Sequence, residues 1–247
     1  MRTGVIRLFR FAGVTVYLHF SWFLIAAIYM TSLARRYQSP VWGVLEYLAL
    51  FGIVLMHEFG HALACRQVGG VADRIILWPL GGIAFVDPPP RPGAYLWSIA
   101  AGPLVNVALI PIIGFASAVV PQDQLSTSPS DAPLFFSDLN YINWGLLIFN
   151  MLPIFPLDGG QILRGLLWFP FGPLRSLQIA SVVGLIGGAL LALAGLLWQS
   201  IWTAVLAFFL LSRAWYGWQQ AKAMIAAAER GFAIPPSLTA PIDKPTR

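Results

Sequence analysis

Apolar residues run in blocks of about twenty along most of this chain, the length that crosses a bilayer core as a helix. Six blocks stand out: Tyr17 to Leu33, Val41 to about Ala64, Ala94 to Val120, about Leu139 to Phe155, Ser176 to Trp198, and Ile201 to about Trp218. Each predicts a transmembrane helix. Only Gln199 and Ser200 separate the last two, which predicts a tight helical hairpin. The pattern changes between the second and third blocks. Arg74 to Trp78 and Gly82 to Val86 are short and rich in Ile, Leu, Val, Trp and Phe, with Pro79-Leu80-Gly81-Gly82 between them. This predicts a β-hairpin at the cytoplasmic membrane edge. Pro88-Pro89-Pro90-Arg91-Pro92-Gly93 then forces an extended link into the third block. The expected fold is an all-α polytopic membrane protein with about six transmembrane helices and this small hairpin between helices two and three. Residues 1–230 form one transmembrane domain in this reading, and the Pro-rich residues 231–247 a disordered tail.

Composition narrows the class further. The 247 residues are 58% apolar and 10% charged, against about 25% charged in a typical soluble domain. Disorder needs the opposite balance, and a soluble enzyme could not hide this much apolar surface. The net charge of +5 acquires meaning once the charges are sorted by loop. With a cytoplasmic amino terminus, 13 of the Lys and Arg residues fall on the cytoplasmic side, and only Arg35 and Arg36 on the other. That asymmetry predicts six spans with both termini inside. The basic stretch Met1 to Arg10 lacks a convincing cleavage site after the first block, so it reads as leading into a retained span. The lone Cys65 rules out an internal disulfide and an all-Cys zinc site.

Chemistry enters in the second block. His57-Glu58-Phe59-Gly60-His61 is an H-E-x-x-H sequence. Residues four apart on a helix share a face, so both imidazoles can reach one metal ion. Glu58 lies beside them, where it can take a proton from water. Ionisable residues inside an apolar helix are costly and usually functional. A tetrahedral zinc needs a third protein ligand. Glu46 precedes His57 by eleven residues, roughly 16 Å along a helix, and is too far. The other acids fall in the hairpin, the exterior loop or the tail, except Asp158. His57 lies about 24 Å into a core of about 30 Å, in the cytoplasmic part of the membrane, and the Pro-broken segment Asn150 to Gly160 ends at a similar depth. Irregular backbone there is tolerated only where it lines a cavity. Asn106, polar and at membrane depth, reads equally as support for the site or as an interhelical hydrogen bond. His19 and Cys65 read as packing residues.

The motifs together resemble the site-2 proteases, the intramembrane zinc metalloproteases. His57-Glu58-Phe59-Gly60-His61 resembles their H-E-x-x-H motif. Asn150, Pro153, Pro156, Leu157, Asp158, Gly159 and Gly160 resemble their N-x-x-P-x-x-P-x-D-G-G motif, and Ala101-Gly102-Pro103-Leu104-Val105-Asn106 their A-G-P-x-x-N element. The resemblance covers roughly Thr15 to Gln220. It implies Zn2+ on His57, His61 and Asp158, Glu58 as catalytic acid/base, and Asn150 near the substrate backbone. The sequence carries neither the PDZ nor the cystathionine-β-synthase-type domain of many relatives. Pattern and family together suggest that an unwound substrate adds as a strand at Gly81, Gly82 and Ile83, with Asn106 grouped on the substrate side. The implied activity is cleavage of a transmembrane or membrane-adjacent segment of a membrane-bound regulator, in a bacterial or archaeal cell membrane. The implied partners are that membrane-protein substrate and the lipid bilayer, with no nucleic acid. The rival readings are a transporter or metal permease using the same metal site, and a non-catalytic membrane adaptor. The former lacks the internal repeats common in transporters, and the intact Glu58 argues against the latter.

Overall fold

In the computed structural model, residues 4–24, 26, 36–78, 81–120 and 130–230 are described. Strands β1 (Val5–Phe11) and β2 (Val14–His19) open the chain, followed by helix α1 (Pro40–Gln67). Strands β3 (Val71–Trp78) and β4 (Gly81–Asp87) come next, then α2 (Pro92–Ala118), α3 (Asp131–Met151), α4 (Asp158–Leu197) and α5 (Ile201–Glu229). Three of these helices, α1, α2 and α4, are long and apolar enough to cross a membrane. Their exposed surfaces carry large apolar side chains such as Val44, Leu48, Ile112, Phe115, Leu190 and Leu193. Such faces suit lipid rather than water, and the molecule is a membrane protein.

The sheet corrects the all-α expectation. It has four strands in the order β1-β2-β3-β4, so the hairpin predicted between helices is only half of it. The first predicted span also begins wrongly, because Tyr17 to His19 belong to β2. Residues 25 and 27–33 of that span, and the tail 231–247, lie outside the described residues. The local cause is alternation. Val14 and Val16 are fully buried, as are Ile75 and Leu77 on β3, a period of two that places one face of each strand inward. Burying each such side chain contributes about 1.5–3 kcal/mol. β1 and β2 run antiparallel, joined at Ala12-Gly13, where both φ angles are positive (47° and 79°). That is the turn geometry that suits strand twist in a two-residue hairpin. β2 and β3 run parallel, with Val16 opposite Ile75 and Leu18 opposite Leu77. β1 is exposed along nearly its whole length.

The described chain forms two compact units. One takes in Met1–Leu63, Ala72–Phe85 and Ala101–Ile148; the other takes in Ala64–Val71, Val86–Ala100 and Phe149–Arg247. The first holds most of the sheet, most of α1 and α3, and the later part of α2. Its helical core is Ile53, Ile113 and Leu139, with Ala49, Leu109 and Phe135 packed around them. At one end Tyr37 Oη donates to Glu46 Oε2 (2.6 Å) and approaches Asp138 Oδ2 (3.0 Å). Arg36 makes a two-pronged ion pair with Asp138, its Nε lying 2.7 Å from Oδ2. In the second unit α4 and α5 pack along each other, with Gly188 against Leu211 and Gly195 against the backbone of Ala204. Ser200 caps α5 by accepting from Thr203 N. α4 bends at Gly172, where φ is 75° and ψ is 173°.

Candidate metal centre

H-E-x-x-H lies within α1, as its spacing predicts. His57, Glu58 and His61 keep 3%, 6% and 6% of their surface. The imidazole Nε2 atoms of His57 and His61 are 3.1 Å apart, with the rings nearly perpendicular. Asp158, buried to about the same degree, opens α4. One nitrogen from each histidine and one carboxylate oxygen of Asp158 lie within 4.8 Å of one another. These three could hold a metal ion.

The donor set fits zinc. Two imidazole nitrogens and one carboxylate leave a fourth tetrahedral position for water or substrate. Ligand nitrogens about 2.0–2.1 Å from a tetrahedral zinc stand roughly 3.4 Å apart, close to the 3.1 Å between the two Nε2 atoms.

The His57 and His61 rings are contacted from α2, which α3 supports in turn. His57 Nδ1 lies 2.6 Å from Asn106 Oδ1. Asn106 Nδ2 donates to Asn143 Oδ1 at 2.8 Å, and Asn143 Nδ2 donates to the Asn106 backbone oxygen at 3.0 Å. Both asparagines are fully buried. Asn106 thus joins α2 to His57, one of the candidate ligands. Gly102 fits against the ring of His61: a Cβ at 102 would stand 2.2 Å from Nε2 and 2.3 Å from Cε1. Glu58 Oε2 accepts a hydrogen bond from the backbone N–H of Ala84 at 2.9 Å. Ala84 is in β4, so this bond ties that strand to Glu58.

Asp158 depends on a tight chain path. Phe155-Pro156 is a cis peptide bond, and Leu157 N donates back to Ile154 O at 2.8 Å. A Cβ on Gly159 would stand 2.3 Å from Met151 O, and one on Gly160 would stand 2.3 Å from Phe155 N. The Pro/Gly segment thus folds against the end of α3 and starts a new helix at Asp158. Asn150 is half-buried, one residue before the end of α3. Gly81, Gly82 and Ile83 open β4, and their surroundings lie outside the described residues. His19 is away from this group: Nδ1 lies 2.5 Å from Ser21 Oγ, and its ring stacks on Trp78 at 4.1 Å. Cys65 is fully buried, with its thiol toward Val71 O.

Sequence reasoning missed Asn143 and the part played by Gly102. An Asn inside the apolar run Tyr141 to Phe149 was the available signal for the first, since buried amides in such helices need partners. Nothing in one dimension signals the second, because the clash belongs to a helix crossing.

Fold and site together define a helical membrane protein with a buried two-His, one-Asp centre and an adjacent glutamate. The chain matches peptidase family M50 over residues 46–131 and 119–194, and it belongs to that family. It is 34% identical over 204 residues to a zinc metalloprotease of Methanocaldococcus jannaschii (MJ0392), covering 83% of this chain and 58% of the relative. A Synechocystis relative (sll0528) is 31% identical over 220 residues, covering 82% and 56%. The chain thus spans a little over half the length of these two proteins. It also resembles the solved structure of a site-2 protease from Methanocaldococcus jannaschii, with a TM-score of 0.61 and 28% identity, covering 87% of this chain and 95% of that one.

Proposed function

We propose that this protein is an intramembrane zinc metalloprotease that cleaves a transmembrane or membrane-adjacent segment of a membrane-bound regulatory protein. The observation that carries this reading is the convergence of His57, His61 and Asp158 ligand atoms within 4.8 Å, with Glu58 next in sequence to one of them. His57, His61 and Asp158 hold zinc. Zinc, when bound, supplies Lewis acidity that lowers the pKa of water and polarises a peptide carbonyl. Glu58 takes the proton from the attacking water and returns it to the leaving amine. The backbone N–H of Ala84 holds the Glu58 carboxylate in one orientation. Asn106 is a positioning residue, and Asn150 holds substrate backbone.

A helical substrate shields its carbonyls by internal hydrogen bonding, so it must unwind before hydrolysis. β4 ends the sheet order among the described residues, and an unwound segment adds to it as a strand at Gly81, Gly82 and Ile83. The Ala84–Glu58 bond supports this, because it brings that strand to the glutamate. Six spans with both termini cytoplasmic complete the proposal, supported by the 13 to 2 distribution of Lys and Arg.

The test uses purified protein in detergent. Glu58→Gln should keep stoichiometric zinc and lose cleavage of a model transmembrane substrate by at least about 100-fold, the scale of a general acid–base contribution. Asp158→Ala should lose zinc, whereas His19→Ala should not. Cleavage by Glu58→Gln at the wild-type rate would overturn the mechanism.

A further inference from the structure

We infer that Asn143 is a positioning residue that sets the tautomer of His57, acting through the side chain of Asn106. The inference rests on His57 being a metal ligand, as proposed above, and the chain of donors and acceptors carries it. The backbone oxygen of Asn106 can only accept. It therefore takes a hydrogen from Asn143 Nδ2, 3.0 Å away. That contact orients the Asn143 amide and leaves its Oδ1 facing Asn106 as an acceptor. Asn106 must then present its Nδ2 to Asn143, at 2.8 Å. Its Oδ1 is turned by the same rotation to His57 Nδ1, at 2.6 Å. A carbonyl oxygen accepts, so Nδ1 carries the hydrogen. Nε2 of His57 is left with its lone pair, and it is the nitrogen that meets Nε2 of His61 at 3.1 Å. A metal ligand must offer that lone pair.

Each link is unambiguous only because the first acceptor is a backbone carbonyl. Without Asn143 the Asn106 amide can rotate by half a turn and present a donor to His57. Nδ1 would then accept, and the hydrogen would move to Nε2, where a metal should bind. Burial makes the network matter: Asn106 and Asn143 are both fully buried, so an amide in the wrong orientation leaves polar atoms without partners in a medium that cannot supply them. Groups that orient a ligating histidine commonly change metal affinity by about 10–100-fold when removed.

The experiment measures two quantities on metal-free protein: the tautomer of His57, from nitrogen-15 spectra of histidine-labelled protein, and zinc affinity, by competition with a chromophoric chelator. Wild type should show the hydrogen on Nδ1 of His57. Asn143→Leu should mix the tautomers and weaken zinc binding about 10–100-fold. Adding Asn106→Asp to that variant should restore both, because a carboxylate can only accept from Nδ1. A packing defect at 143 would not be rescued in this way. Three results would overturn the inference: a hydrogen on Nε2 in wild type, an unchanged tautomer and zinc affinity in folded Asn143→Leu, or a double variant as weak as the single one. The wild-type spectrum decides even if Asn143→Leu fails to fold. If wild type binds no zinc while the tautomers behave as stated, the metal reading fails and the role of Asn143 stands.

Discussion

Gly102→Ala separates the stability of the fold from the geometry of the site. The new methyl carbon would stand 2.2 Å from Nε2, 2.3 Å from Cε1 and 2.8 Å from Cδ2 of His61. Ordinary carbon contacts need about 3.5 Å, so the ring or the helix crossing must yield by more than about 1 Å. A zinc ligand tolerates about 0.2 Å. His61 cannot keep its place, and zinc affinity should fall by at least about 100-fold, the upper end of what is lost when only an orienting partner is removed. Secondary structure should survive, because Ala favours a helix over Gly by about 0.8–1 kcal/mol. Gly114→Ala, on the same helix with nothing within 4 Å of its Cβ, is the control and should leave zinc binding unchanged. The assay is chelator competition on purified protein, with circular dichroism to show that the helices persist. Zinc affinity within about threefold of wild type in a folded Gly102→Ala protein would refute the reasoning, since a fixed ring cannot share that space.

Other substitutions probe different parts of the argument. Gly160→Ala would push a Cβ to 2.3 Å from the backbone nitrogen of Phe155; with no flexible side chain to move aside, it should destabilise the protein by about 3 kcal/mol, measured as a lower melting temperature in detergent. Tyr37→Phe removes the hydroxyl placed between the buried carboxylates of Glu46 and Asp138. Burial holds that phenol well above its usual pKa, so it keeps its proton at all working pH values. Its loss should cost about 1–3 kcal/mol without changing zinc binding, and an unchanged denaturation midpoint would contradict this. Chelator treatment should abolish cleavage, and added zinc should restore it; activity that survives complete zinc removal would contradict the metal mechanism.

Long apolar runs, the H-E-x-x-H spacing and the single remaining acid at the right depth were legible in one dimension. A bilayer imposes length and apolarity directly on a helix, and a helix imposes its period on neighbouring ligands. Asp158 could be picked out because the chain holds so few acids that elimination suffices. Tertiary structure decided the rest. β1 and β2 went unseen because Ala12-Gly13 is a weak turn signal and the alternation of Val14 to His19 runs straight into an apolar block. Asn143 and Gly102 acquire meaning only from helices that cross at one point: an amide network needs its third member to choose an orientation, and a glycine is required only where another side chain occupies the space of its missing methyl. The residues that would carry the chemistry can be named from spacing, but the ones that aim them depend on contacts between segments far apart in the chain.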